Sequence, residues 1–428
     1  MECGTWGSLQ LQTAESKEKE GSVPEAEPAS VTELDKIEKE AQERIISGMN
    51  EVDRVLGGGV VPGALALLSG DPGAGKSTLV AQITDNIKSN YPSKEVVYVS
   101  GEESAGQVKS RLERLGCDIK GLKFINETNV ERITAKIAEL KPALVVVDSI
   151  QTVHSSDSPS EAGGVNQIRT ATGKFLQTAK DNNIAVFLIG HITKDGQVAG
   201  PKSLEHIVDT VVHLENDHSG NYSVLRAAKN RFGSIDEVGI LEMTGTGFKE
   251  IANPSGVFID QQQQKLSGSV ISCLMEGTRP FMVDVQALVT KTVFGYPQRK
   301  AAGLDANRLQ ILTSVLTKRT KINLINYDVV LNIVGGLKVN EPALDLAVCA
   351  AIASSLLDQV ISRDTLIVGE VGLGGEVRVV PKLDQRLKEA EKMGFTRALI
   401  PSQKVDTGGL KLDKVSNIRE ILDILKQD

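Results

Sequence analysis

The stretch ALALLSGDPGAGKSTLVAQITDNI, Ala64 to Ile87, carries the clearest fold signal in the chain. ALALLS is a short apolar run of strand character, and GDPGAGKST, Gly70 to Thr78, then matches GxxxxGK[ST] before STLVAQITDNI takes up helical spacing. Strand, glycine-rich loop and helix in this order make a P-loop. The residues expected to cradle the phosphates of ATP are Gly70, Asp71, Pro72, Gly73, Ala74, Gly75, Lys76, Ser77 and Thr78. Gly73 and Gly75 let the backbone close into a nest of N–H donors, and the helix N-terminus adds its positive end. Lys76 is expected to follow the β- and γ-phosphates, and the Ser77 hydroxyl to ligate Mg²⁺.

Beyond the loop, the apolar runs EVVYVSG, ALVVVDS, IAVFLIG and TVVHLE alternate with helical patterns from Ile46 to about Gly256. That rhythm predicts an α/β domain over residues 45–256 with a parallel-rich central sheet. PALVVVDSIQ ends its strand on Asp148, a carboxylate suited to holding metal-bound water beside the triphosphate; it could instead only cap the next turn. VVYVSGEES sets Glu102 and Glu103 at the end of another strand, where either could activate water, Glu102 being the first choice. Both could also be there only to complement a helix dipole.

Residues 1–44 are rich in Glu, Lys, Ser, Pro and Ala, and read as an acidic, largely disordered tail ending in a short helix at VTELDKIEKEAQERI. Beyond NPSGVFIDQQQQKLSG the pattern becomes α+β, including PALDLAVCAAIASSLL and the amphipathic KLDQRLKEAEKMG, which defines a second domain over 257–428. No apolar run is long enough to span a membrane, so none is expected as a partner. The four cysteines show no CxxC spacing, which fits a reducing cytoplasm. A net charge of −7 excludes indiscriminate polyanion binding; a nucleic acid would have to meet a local basic surface.

YSVLRAAKNRFGS reads as a strand that sets Lys229 and Arg231 on one face. Three roles stay open for them: an arginine finger and its lysine partner entering a neighbouring subunit's site, direct DNA contact, or a basic edge strand that resists aggregation.

The order P-loop, strand–Glu, strand–Asp resembles the RecA-like ATPases. Together GDPGAGKST, YVSGEES, VVVDSIQT, KNRFG, GHITKDGQVAGPKSLEHIVD and LMEGTRPFMVDVQALV are similar to the bacterial RadA/Sms family of DNA-repair proteins, over a match running from Ile46 nearly to the C-terminus. The resemblance implies a RecA-like core and a Lon-protease-like C-terminal domain. It also implies a homo-hexameric, DNA-dependent ATPase on single-stranded DNA, which promotes branch migration of recombination intermediates alongside the RecA recombinase. Two loops, HSSDSPSEAGGVNQIR and GHITKDGQVAGPKSLEHIVD, would face the ring channel with Arg169, Lys194 and Lys202 for DNA phosphates, while Gln167 or His191 would sense the γ-phosphate. A signalling ATPase of the circadian-clock type without DNA, or an ATP-dependent protease, are the rival functions.

Two departures from the family pattern stand out. MECGTWGSL, residues 1–9, looks like the last fragment of a four-cysteine zinc finger and leaves Cys3 without partner ligands, so zinc is not expected at one ion per chain. Either the chain starts late or it dispenses with the finger. VGEVGLGGEVRVVPKLDQRLKEAEKMGF resembles the proteolytic domain of Lon, yet Ala343 stands at the expected serine and Asp384 near the expected lysine, with Ser354, Ser355 and Lys382 nearby. A proteolytically inactive scaffold is expected, offering Lys291, Arg299, Lys300, Arg308, Lys318, Arg319 and Lys321 to DNA.

Overall fold

The computed structural model describes residues 43–161, 163–190, 203–216, 222–251, 259, 266–293, 295–334, 339–405 and 408–425. Two large sheets organise them. The first has nine strands: β1 (Leu65–Gly70), β2 (Val96–Ser100), β3 (Lys123–Ile125), β4 (Leu144–Asp148), β5 (Ala185–Ile189), β6 (Thr210–Asn216), β7 (Tyr222–Asn230), β8 (Val238–Thr244) and β9 (Gly247–Glu250). Their order is β3-β2-β4-β5-β1-β6-β7-β8-β9; the first six are parallel, and β7, β8 and β9 follow antiparallel.

Five helices cover this sheet: α1 (Asn50–Val55), α2 (Lys76–Asn90), α3 (Ala105–Arg114), α4 (Val130–Leu140) and α5 (Val165–Asn182). Alternate side chains of each central strand feed opposite cores. Leu65, Leu67, Val97, Val99, Val145 and Val147 pack with α4 and α5, whereas Ala66, Leu68, Tyr98, Val146 and Phe187 pack with α1, α2 and α3. Burial on both faces is why these strands are continuously apolar in sequence. Pairing aligns Leu68 with Ile189, Ile189 with Asp148, and Asp148 with Ser100, so the carboxyl-terminal ends of β2, β4 and β5 form one row, and β1 runs two residues past it to Gly70. Ligands of open parallel sheets bind at such a row.

The second sheet holds β10 (Ser269–Glu276), β11 (Arg279–Lys291), β12 (Arg299–Ala302), β13 (Tyr327–Ile333), β14 (Thr365–Ile367), β17 (Arg397–Pro401) and β18 (Lys411–Val415), with β12 at one edge. A separate ribbon pairs β15 (Glu370–Val371) with β16 (Val377–Arg378). Its helices are α6 (Ala306–Arg319), α7 (Asp345–Leu357), α8 (Leu383–Lys392) and α9 (Arg419–Leu425). Leu346 to Ala353 of α7 are buried without a break, which explains why that helix is apolar on every side. The fold class is therefore the one expected: an α/β core with a parallel-rich sheet, followed by an α+β part.

Residues from Glu43 onward form one compact unit. Val238 and Ile240 of β8 belong to the core of the second sheet. Above them the buried Glu51 carboxylate accepts Arg279 Nη1 at 2.6 Å and the Ile240 N–H at 2.9 Å. The boundary expected near residue 256 falls outside the described residues. Two local expectations change. Glu43, Arg44 and Ile45 are not helical, because Ile45 pairs with Val60 in an antiparallel bridge that turns both side chains into one core. The loop expected to run to Arg169 gives way to α5 at Val165, where Ile168, Ala171 and Phe175 supply a buried face.

Candidate nucleotide site

Backbone conformation shapes the P-loop. Gly70 has φ +155°, and a Cβ there would stand 2.2 Å from the Leu214 carbonyl oxygen. Gly75 has φ +91°, and a Cβ would meet Met243 Cε at 2.5 Å and Phe248 Cζ at 2.7 Å, so only glycine lets the β8–β9 hairpin close against the loop. Gln82 secures that hairpin: its carboxamide donates to the Phe248 carbonyl at 3.0 Å and accepts the Phe248 N–H at 2.8 Å. Gly73, at φ +80°, faces open space.

Lys76 is buried at the start of α2, and its Nζ donates to the Gly70 and Asp71 carbonyls at 2.9 Å each. Burial pushes its pKa down, with Asp148 and Asp71 opposing the shift. The Ser77 hydroxyl is half-buried and has no hydrogen-bond partner among the described residues; Thr78 follows it on the same turn. The unpaired N–H groups of this first turn, capped by no side chain, point where an anion would sit.

Across the row of strand ends, Asp148 is buried and holds its carboxylate in a polar network. Tyr98, itself fully buried, donates its hydroxyl to Asp148 Oδ2 at 2.6 Å. Arg111 Nη2 donates to the Tyr98 oxygen at 2.8 Å and to Asp148 Oδ2 at 3.4 Å, and its Nη1 pairs with Glu103 Oε2 at 2.6 Å. Burial and the Asp148 charge push the Tyr98 phenol well above its usual range, so it stays a proton donor. Glu102 is exposed and pairs with no described residue. Sequence reasoning passed over Tyr98 and Arg111; a tyrosine in an apolar strand and an arginine in an amphipathic helix carry no local sign of this contact. A free hydroxyl on Ser77 and a carboxylate oxygen on Asp148 are the hard oxygen donors that suit Mg²⁺.

Lys229 and Arg231 lie elsewhere. The strand ends at Asn230, so Arg231 sits one residue past it, yet both side chains reach the segment before β6. Lys229 Nζ donates to the Glu205 and Val208 carbonyls at 2.6 and 2.7 Å, and burial pushes its pKa down, aided by the Arg231 charge. Arg231 pairs with buried Asp209 at 2.9 Å, whose other oxygen accepts the N–H of Leu65 at 3.1 Å. This is the amino-terminal end of β1, opposite the P-loop.

Of the residues assigned to DNA, Arg169 is exposed on α5 and Lys300 is exposed on the edge strand β12. Arg299 turns back to donate to the Tyr327 and Leu324 carbonyls, the latter at 2.8 Å. Lys194, Lys202 and His191 lie outside the described residues, as does Cys3. Gln167 is buried under the loop after β4: its amide donates to the Ser155, Ser158 and Ser160 carbonyls and its oxygen accepts the Ser155 N–H at 2.8 Å. Its hydrogen-bonding capacity is spent on shaping that loop. Ala343 is buried, Asp384 is exposed, and Lys382 Nζ donates to the Gly277 carbonyl at 2.7 Å. The Ser354 hydroxyl donates to the Gln359 carbonyl, and the Ser355 oxygen accepts the Val289 N–H at 3.0 Å.

The family model described as the AAA domain matches residues 32–197, and that described as subunit ChlI of Mg-chelatase matches residues 294–404. DNA repair protein RadA of Bacillus subtilis is 45% identical over 390 residues, covering 90% of this chain and 85% of the relative. The chain belongs to the RadA family of DNA repair proteins. RadA of Listeria monocytogenes is 44% identical over 96% of this chain and 90% of its own. RadA of Halalkalibacterium halodurans is 42% identical over 99% and 93% respectively. A solved ATPase domain aligns with 49% of this chain and 92% of its own at 16% identity, with a TM-score of 0.43, too slight a likeness to argue from. In this RadA-family chain the P-loop thus belongs to an ATPase domain. Among the described residues no helix is long and apolar enough to cross a membrane, and no cluster of three metal-ligating side chains occurs.

Proposed function

We propose that the chain is a DNA-dependent ATPase of recombinational repair, working in the cytoplasm as a homo-hexameric ring on single-stranded DNA and driving branch migration of intermediates made with a RecA recombinase. Residues 45–256 are the motor and residues 257–428 a proteolytically inactive Lon-like scaffold. One observation supports the ring: the P-loop and the Lys229–Arg231 pair occupy opposite ends of the same sheet, so these cations cannot serve the nucleotide of their own chain.

In this reading the P-loop N–H groups and Lys76 would hold the triphosphate, and Ser77 and Asp148 would hold magnesium. Magnesium, when bound, neutralises charge on the β- and γ-phosphates. Glu102, exposed and unpaired, takes a proton from the attacking water. Arg231 of the next subunit, with Lys229, meets the charge that develops on the transferred phosphoryl group once each leaves its own-chain partners, Asp209 and the Glu205 and Val208 carbonyls. Arg169, Lys194, Lys202, Arg299 and Lys300 contact DNA backbone, Arg299 doing so once it leaves its carbonyl partners.

The deciding experiment is the ATP turnover rate with and without single-stranded DNA, on a sample of known mass in solution. Stimulation by DNA in a hexamer, lost in Lys76→Ala, is the expected result. Turnover indifferent to DNA would favour a signalling ATPase instead.

A further inference from the structure

Asp148 is approached from inside the protein by two donors that meet the same oxygen. Tyr98 donates to Oδ2 at 2.6 Å and Arg111 Nη2 at 3.4 Å, while Oδ1 takes no hydrogen bond from any described residue. The direction of the network is fixed by chemistry. A guanidinium only donates, so the Tyr98 oxygen accepts from Arg111 at 2.8 Å and its proton must point at Asp148. One carboxylate oxygen is thereby spent on the protein interior, and the other is left without a donor among the described residues.

The same guanidinium grips Glu103 at 2.6 Å, and the Glu103 N–H is held by Ser100 Oγ at 3.0 Å. Arg111 can do both because α3 is fixed at its start and along its inner face. Ser104 and Gln107 form a capping box at its start, and Val108 and Leu112 bury its inner face, so the arginine on the last turn folds back over Tyr98 with its guanidinium 5.9 Å from the ring centre. Glu102, one residue before Glu103, has no such tether.

We infer that Tyr98 and Arg111 are positioning residues of the nucleotide site: together they aim the Asp148 carboxylate, and Arg111 alone ties down one oxygen of Glu103, leaving the untethered Glu102 to meet the attacking water. The inference rests on the ATPase reading above. Partners one step behind a metal-holding carboxylate set its orientation, and losing one typically weakens metal affinity or activity roughly 10- to 100-fold.

The test uses the full chain and reads binding of a fluorescent ATP analogue with Mg²⁺ and with EDTA, beside kcat and KM. Tyr98→Phe removes one oxygen and keeps the ring. It should cut the affinity gained from Mg²⁺ roughly tenfold, so that KM for Mg-ATP rises by a similar factor and kcat falls as well, while binding in EDTA stays at the parent value. Arg111→Ala should do the same, and Arg111→Lys should recover part of it. Glu103→Gln should keep most of the turnover. A Tyr98→Phe chain with the parent's Mg²⁺ gain and kcat overturns the positioning of Asp148; a Glu103→Gln chain that binds ATP but cannot hydrolyse it overturns the withholding of Glu103. If the parent itself fails to hydrolyse ATP, the ATPase reading has failed, which no result with these variants would imitate.

Discussion

Arg231 and Lys76 sit at opposite ends of one pair of parallel strands. Asp209, at the entry to β6, pairs with Arg231 through Oδ1 and accepts the N–H of Leu65 through Oδ2, and Leu65 opens β1, which ends at Gly70 in the P-loop. Five strand steps separate the two ends, about 17 Å at the usual rise. One nucleotide cannot be held by both cations of the same chain.

Arg231→Ala should therefore still bind ATP and assemble, at some cost in stability because buried Asp209 loses its guanidinium, while losing hydrolysis by a factor on the order of 10³, the low end for an arginine finger. Mixing that variant with Lys76→Ala, each inactive alone, should restore activity where an intact loop faces an intact finger. Mixed rings that stay inactive despite proven subunit exchange would end the trans-acting proposal.

Glu102→Gln should retain ATP binding and lose turnover by roughly 10²-fold or more, the scale of a missing general base. Single-turnover measurement separates the loss of chemistry from slow product release. Full activity in this variant would move the base elsewhere.

The loop after β4 should respond to acid. Burial alone would raise the Glu131 carboxyl, but hydrogen bonds from Lys174 and Ser155 outweigh it and hold its pKa at about 2. A depressed folded-state pKa gives stability that is present above the ordinary carboxylate range and is lost as pH falls toward about 2. Glu131→Gln should thus melt below the parent at neutral pH, and the gap between the two should close as the pH drops from about 4 to about 2. A gap independent of pH would rule out this ionic origin.

Arg279→Ala should leave Glu51, which is only 4% exposed, without its short pairing and with only Arg54 Nη1, 3.6 Å from the other oxygen, as a cation. An uncompensated buried carboxylate costs roughly 3 kcal/mol or more, and the partial compensation by Arg54 should keep the loss below that. Denaturant unfolding should show the loss, and because Glu51 also holds the β8 backbone, the first sheet should loosen toward the second.

The P-loop, the strand ending on Asp148 and the two glutamates were legible in the sequence because each is written in consecutive residues. Strand burial on both faces leaves an apolar run, a phosphate loop leaves glycines at fixed spacing, and a carboxylate closing a strand marks the functional edge. The apolar helix α7 was legible for the same local reason. The partners of those residues were not. Tyr98 and Arg111 are 13 residues apart, and Arg111 and Asp148 are 37. Only the parallel pairing of β2 with β4 and the return of α3 over their ends bring them to one carboxylate. Likewise KNRFG announced its charge but not its place. Its distance from Lys76 follows from β6 running parallel to β1 and β7 returning antiparallel, a matter of strand order that depends on long-range hydrogen bonds rather than on any residue's own preference.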